Sequence, residues 1–163
     1  VGDSALGLQL LKQGERHGFL IARHLDPTPR VREGRALADA ALPSAMIDLS
    51  DGLLADLQHI LDSSSVGARL RMADIPLSPA FRERIPATSE EARRLALSGG
   101  EDYELLFSVP PARMSALRSV MQQSCTPLAV IGFITDTKGL SVVDADGIEL
   151  PVRTKGFDHF AGP

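Results

Sequence analysis

The chain has 163 residues, of which 44% are hydrophobic and 23% are charged, and its formal net charge is −4. This length and apolar content suit one globular domain with a sizeable core, so we expect residues 1–163 to form a single domain. The acidic balance argues against a nucleic-acid surface, which normally carries a basic stripe. The single cysteine, Cys125, excludes an intramolecular disulfide and a cysteine-based metal cage. No apolar run approaches the ~18 residues of a membrane span, so we expect no membrane insertion and a cytoplasmic protein.

The first third of the chain predicts three helices. Asp3 or Ser4 can cap the first helix, and Gly14 ends it. A second, short helix covers Phe19–Leu25, and a third covers residues 30–41. The chain therefore begins with a mainly helical region.

The rest of the chain predicts strands mixed with helices. Ala45-Met46-Ile47 predicts a short buried strand, and the helix after it carries Leu53, Leu54, Leu57, Ile60 and Leu61 on one face. The later elements are strands over 68–72, 103–109, 128–134, 140–143 and 148–150, and helices over 79–84, 89–97 and 112–122. The turn Asp144-Ala145-Asp146-Gly147 between the last two strands indicates a hairpin. Helices in blocks and a terminal hairpin predict an α+β fold with a mixed or mainly antiparallel sheet.

The segment Asp48-Leu49-Ser50-Asp51-Gly52 lies where a strand is followed by a helix. The carboxylates of Asp48 and Asp51 can converge on one point there, beside the backbone N–H groups of the helix start. Oxygen ligands of this kind suit Mg²⁺, whose coordination is completed by phosphates and water. The alternative is structural, with Ser50 or Asp51 as a helix N-cap and Asp48 as a turn residue. The residues alone leave both interpretations open.

Two further segments are candidates for ligand binding. Ser98-Gly99-Gly100-Glu101-Asp102-Tyr103-Glu104 places three acids and the only tyrosine after two glycines. It can form a cation-binding loop or a recess for a polar ligand, or simply a surface loop with solvated charges. Gly156-Phe157-Asp158-His159-Phe160 can line a pocket or stack on a flat ring, or it can pin the tail to the core.

Absent motifs narrow the chemistry. The sequence has no Gly-x-x-x-x-Gly-Lys-Ser/Thr phosphate loop, no Gly-x-Ser-x-Gly elbow and no protein-kinase signature set. No cysteine or histidine stands in a context that indicates a nucleophile or a general base. We therefore predict no catalytic residue in this chain.

Four segments together resemble the thiamine-monophosphate kinases, in the order that the family has them, and the resemblance covers essentially the whole chain. The segments are residues 2–8, 45–53, 97–107 and 156–160. The strings Asp-Leu-Ser-Asp-Gly-Leu and Ser-Gly-Gly-Glu-Asp-Tyr-Glu-Leu are the distinctive ones. The resemblance is to the carboxy-terminal domain of that enzyme, in the superfamily of aminoimidazole-ribonucleotide synthetase and selenophosphate synthetase. It implies the α+β fold of those domains.

The resemblance implies ATP-dependent phosphorylation of thiamine monophosphate to thiamine diphosphate, with several Mg²⁺ ions. By matching motif positions, Asp48 and Asp51 would bind magnesium and Ser50 would contact ATP. Glu101 would contact the substrate, and Phe157 would pack against its aromatic rings. Phosphoryl transfer depends mainly on positioning and metal charge, so clustered acids without a base or a nucleophile fit this chemistry.

The resemblance also implies a missing partner. In the family the site lies between the domain represented here and an amino-terminal domain, which this sequence lacks, and the full-length enzyme is a homodimer. We expect the chain alone to fold but to have no measurable kinase activity. Two alternatives stay open: another ATP-using enzyme of the superfamily, such as a hydrogenase-maturation protein, and a non-catalytic module whose acidic loops only bind cations or other ligands.

Overall fold

The structure, a computed structural model, describes residues 1–152. Phe157 and the segment around it lie outside the described residues. The helices are α1 (Asp3–Lys12), α2 (Phe19–Leu25), α3 (Val31–Asp39), α4 (Leu53–Ser64), α5 (Pro79–Arg84), α6 (Glu90–Ser98) and α7 (Met114–Gln123). The strands are β1 (Ala45–Asp48), β2 (Gly67–Arg71), β3 (Leu105–Ser108), β4 (Gly132–Thr135) and β5 (Gly139–Val143). Short 3₁₀ turns cover Met72–Asp74 and Pro111–Arg113.

The strands of the described region form two small sheets. In the first, β1 pairs antiparallel with β3, with Ala45 opposite Ser108 and Asp48 opposite Leu105. The second has the order β4-β2-β5, in which β2 is antiparallel to β4 and parallel to β5. The α+β class and the mixed, mainly antiparallel pairing are therefore confirmed.

Helix α4 packs at the centre of the largest apolar cluster, together with α6, β2 and β5. All five apolar residues that predicted its buried face are buried: Leu53, Leu54, Leu57, Ile60 and Leu61. Burial of a leucine or isoleucine side chain contributes roughly 1.5–3 kcal/mol. The start of α4 is therefore held in place by the core. None of the helices in residues 1–152 is long and apolar enough to cross a membrane.

The strand predicted over 103–109 is shorter in the structure. It begins only at Leu105, because Glu101 and Tyr103 adopt positive φ angles of 64° and 51°. Such angles lie in the left-handed region, which is incompatible with an extended strand. The backbone ahead of β3 is therefore a shaped loop.

The predicted terminal hairpin is reduced to little more than its turn. Residues 140–143 belong to β5, but residues 148–150 form only one isolated bridge, between Val143 and Glu149. The Asp144 carboxylate accepts the N–H groups of Asp146 and Ile148, at 3.0 and 2.9 Å. This side chain organises the turn itself, and two backbone hydrogen bonds, Asp144 N–H to Ile148 and Leu150 N–H to Val142, follow it. Likewise, the strand predicted over 128–134 is assigned only from Gly132 onwards, as β4, although Ile131 already accepts a hydrogen bond from Arg71 of β2.

Candidate functional site

The two acidic segments of the sequence lie side by side beyond the ends of β1 and β3. We call residues 48–52 the first acidic loop and residues 98–104 the second acidic loop. The N–H group of Glu101 donates to the carbonyl oxygen of Ser50 at 2.8 Å. Leu49 makes two further backbone hydrogen bonds to the second loop, at 2.9 and 2.8 Å. The β1–β3 pairing thus continues past both strand ends and joins the loops.

Two glycines allow this close approach. A Cβ atom on Gly100 would lie 2.6 Å from the Ser50 carbonyl oxygen. Gly52 has a φ angle of 121°, and a Cβ atom there would lie 3.0 Å from the carbonyl carbon of Ser98. Any larger side chain at Gly100 would push the loops apart, and any at Gly52 would strain the backbone.

The structure brings four of the five predicted site residues together. Asp48 is the last residue of β1 and is exposed, while Ser50 and Asp51 follow it and are partly buried. Glu101 is exposed on the second loop, hydrogen-bonded through its backbone to Ser50. In residues 1–152 neither Asp48 nor Asp51 takes part in an ion pair. The prediction for Phe157, the fifth residue, concerns a position outside the described residues.

Helix α4 is not capped by Ser50 or Asp51, so that structural alternative is wrong. Its N-cap residue is Gly52, which makes no side-chain hydrogen bond. Instead, one oxygen of Asp56, Oδ2, accepts the N–H groups of Ser50, Asp51 and Gly52 at 3.0, 3.1 and 3.1 Å. Burial raises the pKa of Asp56, and the three N–H groups oppose that rise. The N–H groups of the loop immediately before α4 are therefore bonded within the chain.

Asp102, in the second acidic loop, is a buried cap for a distant helix. Its carboxylate accepts the N–H groups of Gly2 at 2.5 Å and Ser4 at 3.2 Å, at the start of α1. The predicted caps Asp3 and Ser4 are therefore wrong, because both lie inside the helix and Gly2 is the N-cap residue. Burial raises the pKa of the Asp102 carboxyl group.

Glu104 is paired rather than solvated. Its two oxygens accept two hydrogen bonds from the Arg30 guanidinium, both at 2.8 Å, and Oε1 also accepts one from Arg23 at 2.7 Å. The pairing raises the pKa of Arg30. The idea of a surface loop with solvated charges is therefore wrong for both Asp102 and Glu104. Glu101 is the one exposed carboxylate among the three acids of this loop.

One neighbour of Glu101 was missed by the sequence reasoning. His24, on α2, has its Nδ1 atom 3.7 Å from Glu101 Oε2 and 2.9 Å from Ser4 Oγ. The helix that carries His24 was predicted correctly. Nothing in the local pattern indicated that α2 would pack beside a loop some 80 residues later.

The donor set fits one side of a magnesium site. Within residues 1–152, no group of three or more histidine, cysteine, aspartate or glutamate side chains is arranged to hold a metal. Mg²⁺ is usually bound in proteins through one or two carboxylates, with phosphates and water as its other ligands. Asp48 and Asp51 match that pattern.

A large cavity in the described region is bordered by both acidic loops but not by the predicted site residues. It has a volume of about 1230 Å³, and neither Asp48, Ser50, Asp51 nor Glu101 lines it. Its walls are mainly apolar, from α4, β2, β3 and residues 126–134. The four predicted site residues therefore lie outside this cavity, although Leu49, Asp102 and Glu104 of the same loops line it.

Comparison with known families agrees with this architecture. The family model described as AIR synthase related protein, C-terminal domain, matches residues 2–145. The chain belongs to this family. The matched range contains both acidic loops and all the helices and strands described above.

Among curated proteins, the chain is similar to thiamine-monophosphate kinases. The enzyme of Salmonella typhimurium is 45% identical over 170 residues, which cover 99% of this chain and 50% of the relative. The Escherichia coli enzyme is 43% identical over 169 residues, with the same coverage. The chain thus spans about half the length of the curated relatives it matches.

Solved structures show the same similarity. A thiamine-monophosphate kinase from Stenotrophomonas maltophilia matches 90% of this chain and 48% of its own, at 39% identity and a TM-score of 0.80. AaThiL complexed with AMPPCP and TMP matches 98% of this chain and 48% of its own, at 32% identity and a TM-score of 0.74. Escherichia coli HypE, at 19% identity and a TM-score of 0.72, covers 99% of this chain and 49% of its own and shares the fold.

Proposed function

We propose that this chain is the carboxy-terminal domain of a cytoplasmic thiamine-monophosphate kinase and supplies one wall of its active site. The observation that carries the proposal is the pairing of the two acidic loops, which places Asp48, Ser50 and Asp51 beside Glu101. The similarity to thiamine-monophosphate kinases over 99% of the chain supports it. So does a similar structure complexed with AMPPCP and TMP.

Each residue takes a role that its position allows. Asp48 and Asp51 hold Mg²⁺, which neutralises phosphate charge when it is bound. Ser50, between them, contacts the nucleotide, and Glu101 contacts thiamine monophosphate. We propose that Phe157 packs against the rings of the thiamine.

The reaction requires no nucleophile from this chain. An oxygen of the thiamine phosphate attacks the γ-phosphorus of ATP, a new P–O bond forms, and ADP leaves. A phosphate monoester carries most of its negative charge at pH 7, because its second pKa is about 6, so it needs no general base. The exposed groups at the loops, which are carboxylates and a hydroxyl, then act by holding and orienting the reactants.

A second domain completes the site in this proposal. The chain spans half the length of its relatives, and Asp48 and Asp51 provide only part of a metal shell. The other ligands and phosphate contacts come from an amino-terminal half, through which the full-length enzyme also forms a homodimer. We use "full-length protein" below for this chain joined to that half.

The test is the formation of thiamine diphosphate from ATP and thiamine monophosphate. We expect the full-length protein to be active with Mg²⁺ and the 163-residue chain alone to be inactive. Asp51→Ala should abolish turnover, whereas Phe157→Ala should mainly raise the KM for thiamine monophosphate. A normal rate for Asp51→Ala would refute the metal assignment, and appreciable product from the chain alone would refute the half-site.

The competing functions give different outcomes in the same assay. HypE shares this fold, so a second ATP-using enzyme of the superfamily is one alternative. Such an enzyme would consume ATP equally with and without thiamine monophosphate. A non-catalytic module would bind Mg²⁺ or nucleotide in calorimetry but consume no ATP in the full-length protein.

A further inference from the structure

We propose that Asp56 is a positioning residue for the magnesium-binding corner. Its buried carboxylate gathers the backbone of residues 50–52 and thereby sets the position of Asp51 relative to Asp48, which the β1–β3 pairing holds. The inference rests on the proposed function, because it concerns the delivery of those two carboxylates to Mg²⁺. It assigns Asp56 no contact with metal, nucleotide or substrate.

The backbone before α4 has the geometry of an anion-binding site, and the Asp56 carboxylate occupies the position of the anion. Three consecutive N–H groups, from Ser50, Asp51 and Gly52, converge on the single oxygen Oδ2. Converging backbone N–H groups at a helix start usually bind an external anion such as a phosphate oxygen. Here the acceptor is a side chain of the following helix. These three N–H groups are therefore not available to the nucleotide phosphates, and the loop meets the metal through its side chains.

The carboxylate is held by a rigid element. Asp56 is 2% exposed and sits on α4 between Leu54 and Leu57, both of which are buried in the largest apolar cluster. The loop before α4 turns at Gly52, which has a φ angle of 121°. Because glycine has no side chain to restrict its backbone, this residue does not fix the turn by itself. The backbone of residues 50–52 is therefore fixed to α4, in addition to the hydrogen bonds that join Leu49 and Ser50 to the second loop.

A role for Asp56 as a third metal ligand does not fit the structure. Its Oδ2 atom already accepts three hydrogen bonds, and the residue is buried. In the described part of the chain, no three acidic or metal-binding side chains are grouped for a metal. Residues that orient metal ligands without touching the metal typically change metal affinity or activity by about 10–100-fold when they are replaced.

The first experiment compares the Mg²⁺ dependence of Asp56 variants in the full-length protein. We expect Asp56→Ala to raise the Mg²⁺ concentration for half-maximal rate by about tenfold or more. Asp56→Asn, which keeps an acceptor oxygen and the side-chain volume, should fall between Ala and the wild type. The KM for thiamine monophosphate should change less than the Mg²⁺ requirement. Asp62→Asn is the matched control, because that carboxylate is on the same helix but exposed, and among residues 1–152 its one side-chain hydrogen bond comes from Gln58.

The second experiment has a readout that is independent of turnover. Mn²⁺ binding, followed by electron paramagnetic resonance, should weaken in the order wild type, Asp56→Asn, Asp56→Ala. Amide hydrogen exchange at residues 50–52 should accelerate in the same order. If Asp56→Ala does not fold, Asp56→Asn carries the test with both readouts.

The outcomes separate this inference from the proposed function. An inactive wild type would overturn the proposed function, while weaker Mn²⁺ binding by the Asp56 variants would still support the positioning role. An active wild type, with unchanged Mg²⁺ requirement and Mn²⁺ affinity in Asp56→Ala, would overturn the positioning role alone. A loss of stability with normal cation affinity would mean that Asp56 serves only the fold.

Discussion

The two acidic loops lie against each other but are anchored at very different distances along the chain. The first loop is held by Asp56, which is four to six residues from the N–H groups it accepts. The second loop is held by Asp102 and Glu104. The partners of Asp102 lie 98 and 100 residues away at the start of α1. Those of Glu104 lie 81 residues away on α2 and 74 residues away at Arg30.

Because of this difference, the shape of the first loop can change without a change in the stability of the whole domain, whereas the shape of the second loop cannot. A loop anchored by its own helix can lose its shape while the rest of the domain stays folded. A loop anchored to α1, α2 and the start of α3 cannot, because the same contacts fix those helices to the segment immediately before β3. We therefore expect damage to the second loop to lower the stability of the whole domain, and damage to the first to act mainly on the site.

The largest effect is expected for Glu104→Ala. The side chains of Glu104, Arg23 and Arg30 are 28%, 14% and 24% exposed. Removal of the carboxylate leaves two mostly buried guanidinium groups without this partner. Removing one partner of a buried pair costs 3–5 kcal/mol, and partial exposure reduces this to about 2–3 kcal/mol of unfolding free energy. The measurement is urea unfolding of the full-length protein.

A surface ion pair provides the control for Glu104. The Arg84–Glu15 pair has the same two-pronged geometry, but its side chains are 50% and 36% exposed. Glu15→Ala should change the unfolding free energy by only about 0–1 kcal/mol. Equal effects of the two substitutions would contradict the idea that the second loop is coupled to the fold.

Gly100→Ala tests the contact between the loops. The added methyl group would lie 2.6 Å from the Ser50 carbonyl oxygen, so the backbones must separate. Overpacking of this kind costs about 1–3 kcal/mol, and we also expect a higher KM for thiamine monophosphate, because Glu101 moves with the loop. Urea unfolding and steady-state kinetics provide the two measurements.

Gly34→Ala is the matched control for Gly100. Gly34 lies in α3, where a Cβ atom would be in ordinary contact, 3.5 Å from a methyl group of Leu105. Alanine is the better helix former by up to about 1 kcal/mol, so this variant should be slightly more stable than the wild type. If Gly100→Ala behaved like Gly34→Ala, the loops would not be in close contact.

The sequence predicted the parts of this site that depend on near neighbours. The apolar period of α4 located that helix, and the strand-to-helix corner located Asp48 and Asp51. The anchoring residues were missed. Asp56 reads as an ordinary polar residue on a helix, since its hydrogen bonds depend on how the loop folds back.

The contacts of the second loop could not be predicted from the local sequence pattern, because their partners lie far away in the chain. Asp102 and Glu104 lie between Glu101 and β3, separated only by Tyr103, and their separate roles appear only once α1 and α2 are packed. Pairing between β1 and β3 likewise joins segments about 60 residues apart. The family resemblance supplied Glu101, which the residues alone did not distinguish from its two acidic neighbours.

The smallest expected effect is a pH dependence at Asp102. Burial raises the pKa of this carboxyl group in the folded protein. Between the unfolded value of about 4 and the raised folded value, the folded state binds more protons than the unfolded chain, so its stability falls as pH rises. Asp102→Asn keeps an acceptor oxygen for Gly2 and Ser4 but does not titrate. Relative to the wild type, the variant should therefore gain stability as the pH is raised from about 4 to 7.

The same pH measurement on Asp56 tells whether Asp56 and Asp102 differ only in how far along the chain their hydrogen-bond partners lie. Burial raises the pKa of Asp56 as well, so Asp56→Asn should also gain stability relative to the wild type as pH rises, measured by urea midpoints at several pH values. Asp56 accepts three N–H groups and Asp102 two. Since each of these bonds favours the charged carboxylate, the gain should be smaller at Asp56 if hydrogen bonding offsets burial. If the urea midpoints of both variants changed with pH in parallel with those of the wild type, the hydrogen bonds would fully offset the effect of burial on the pKa of both carboxyl groups.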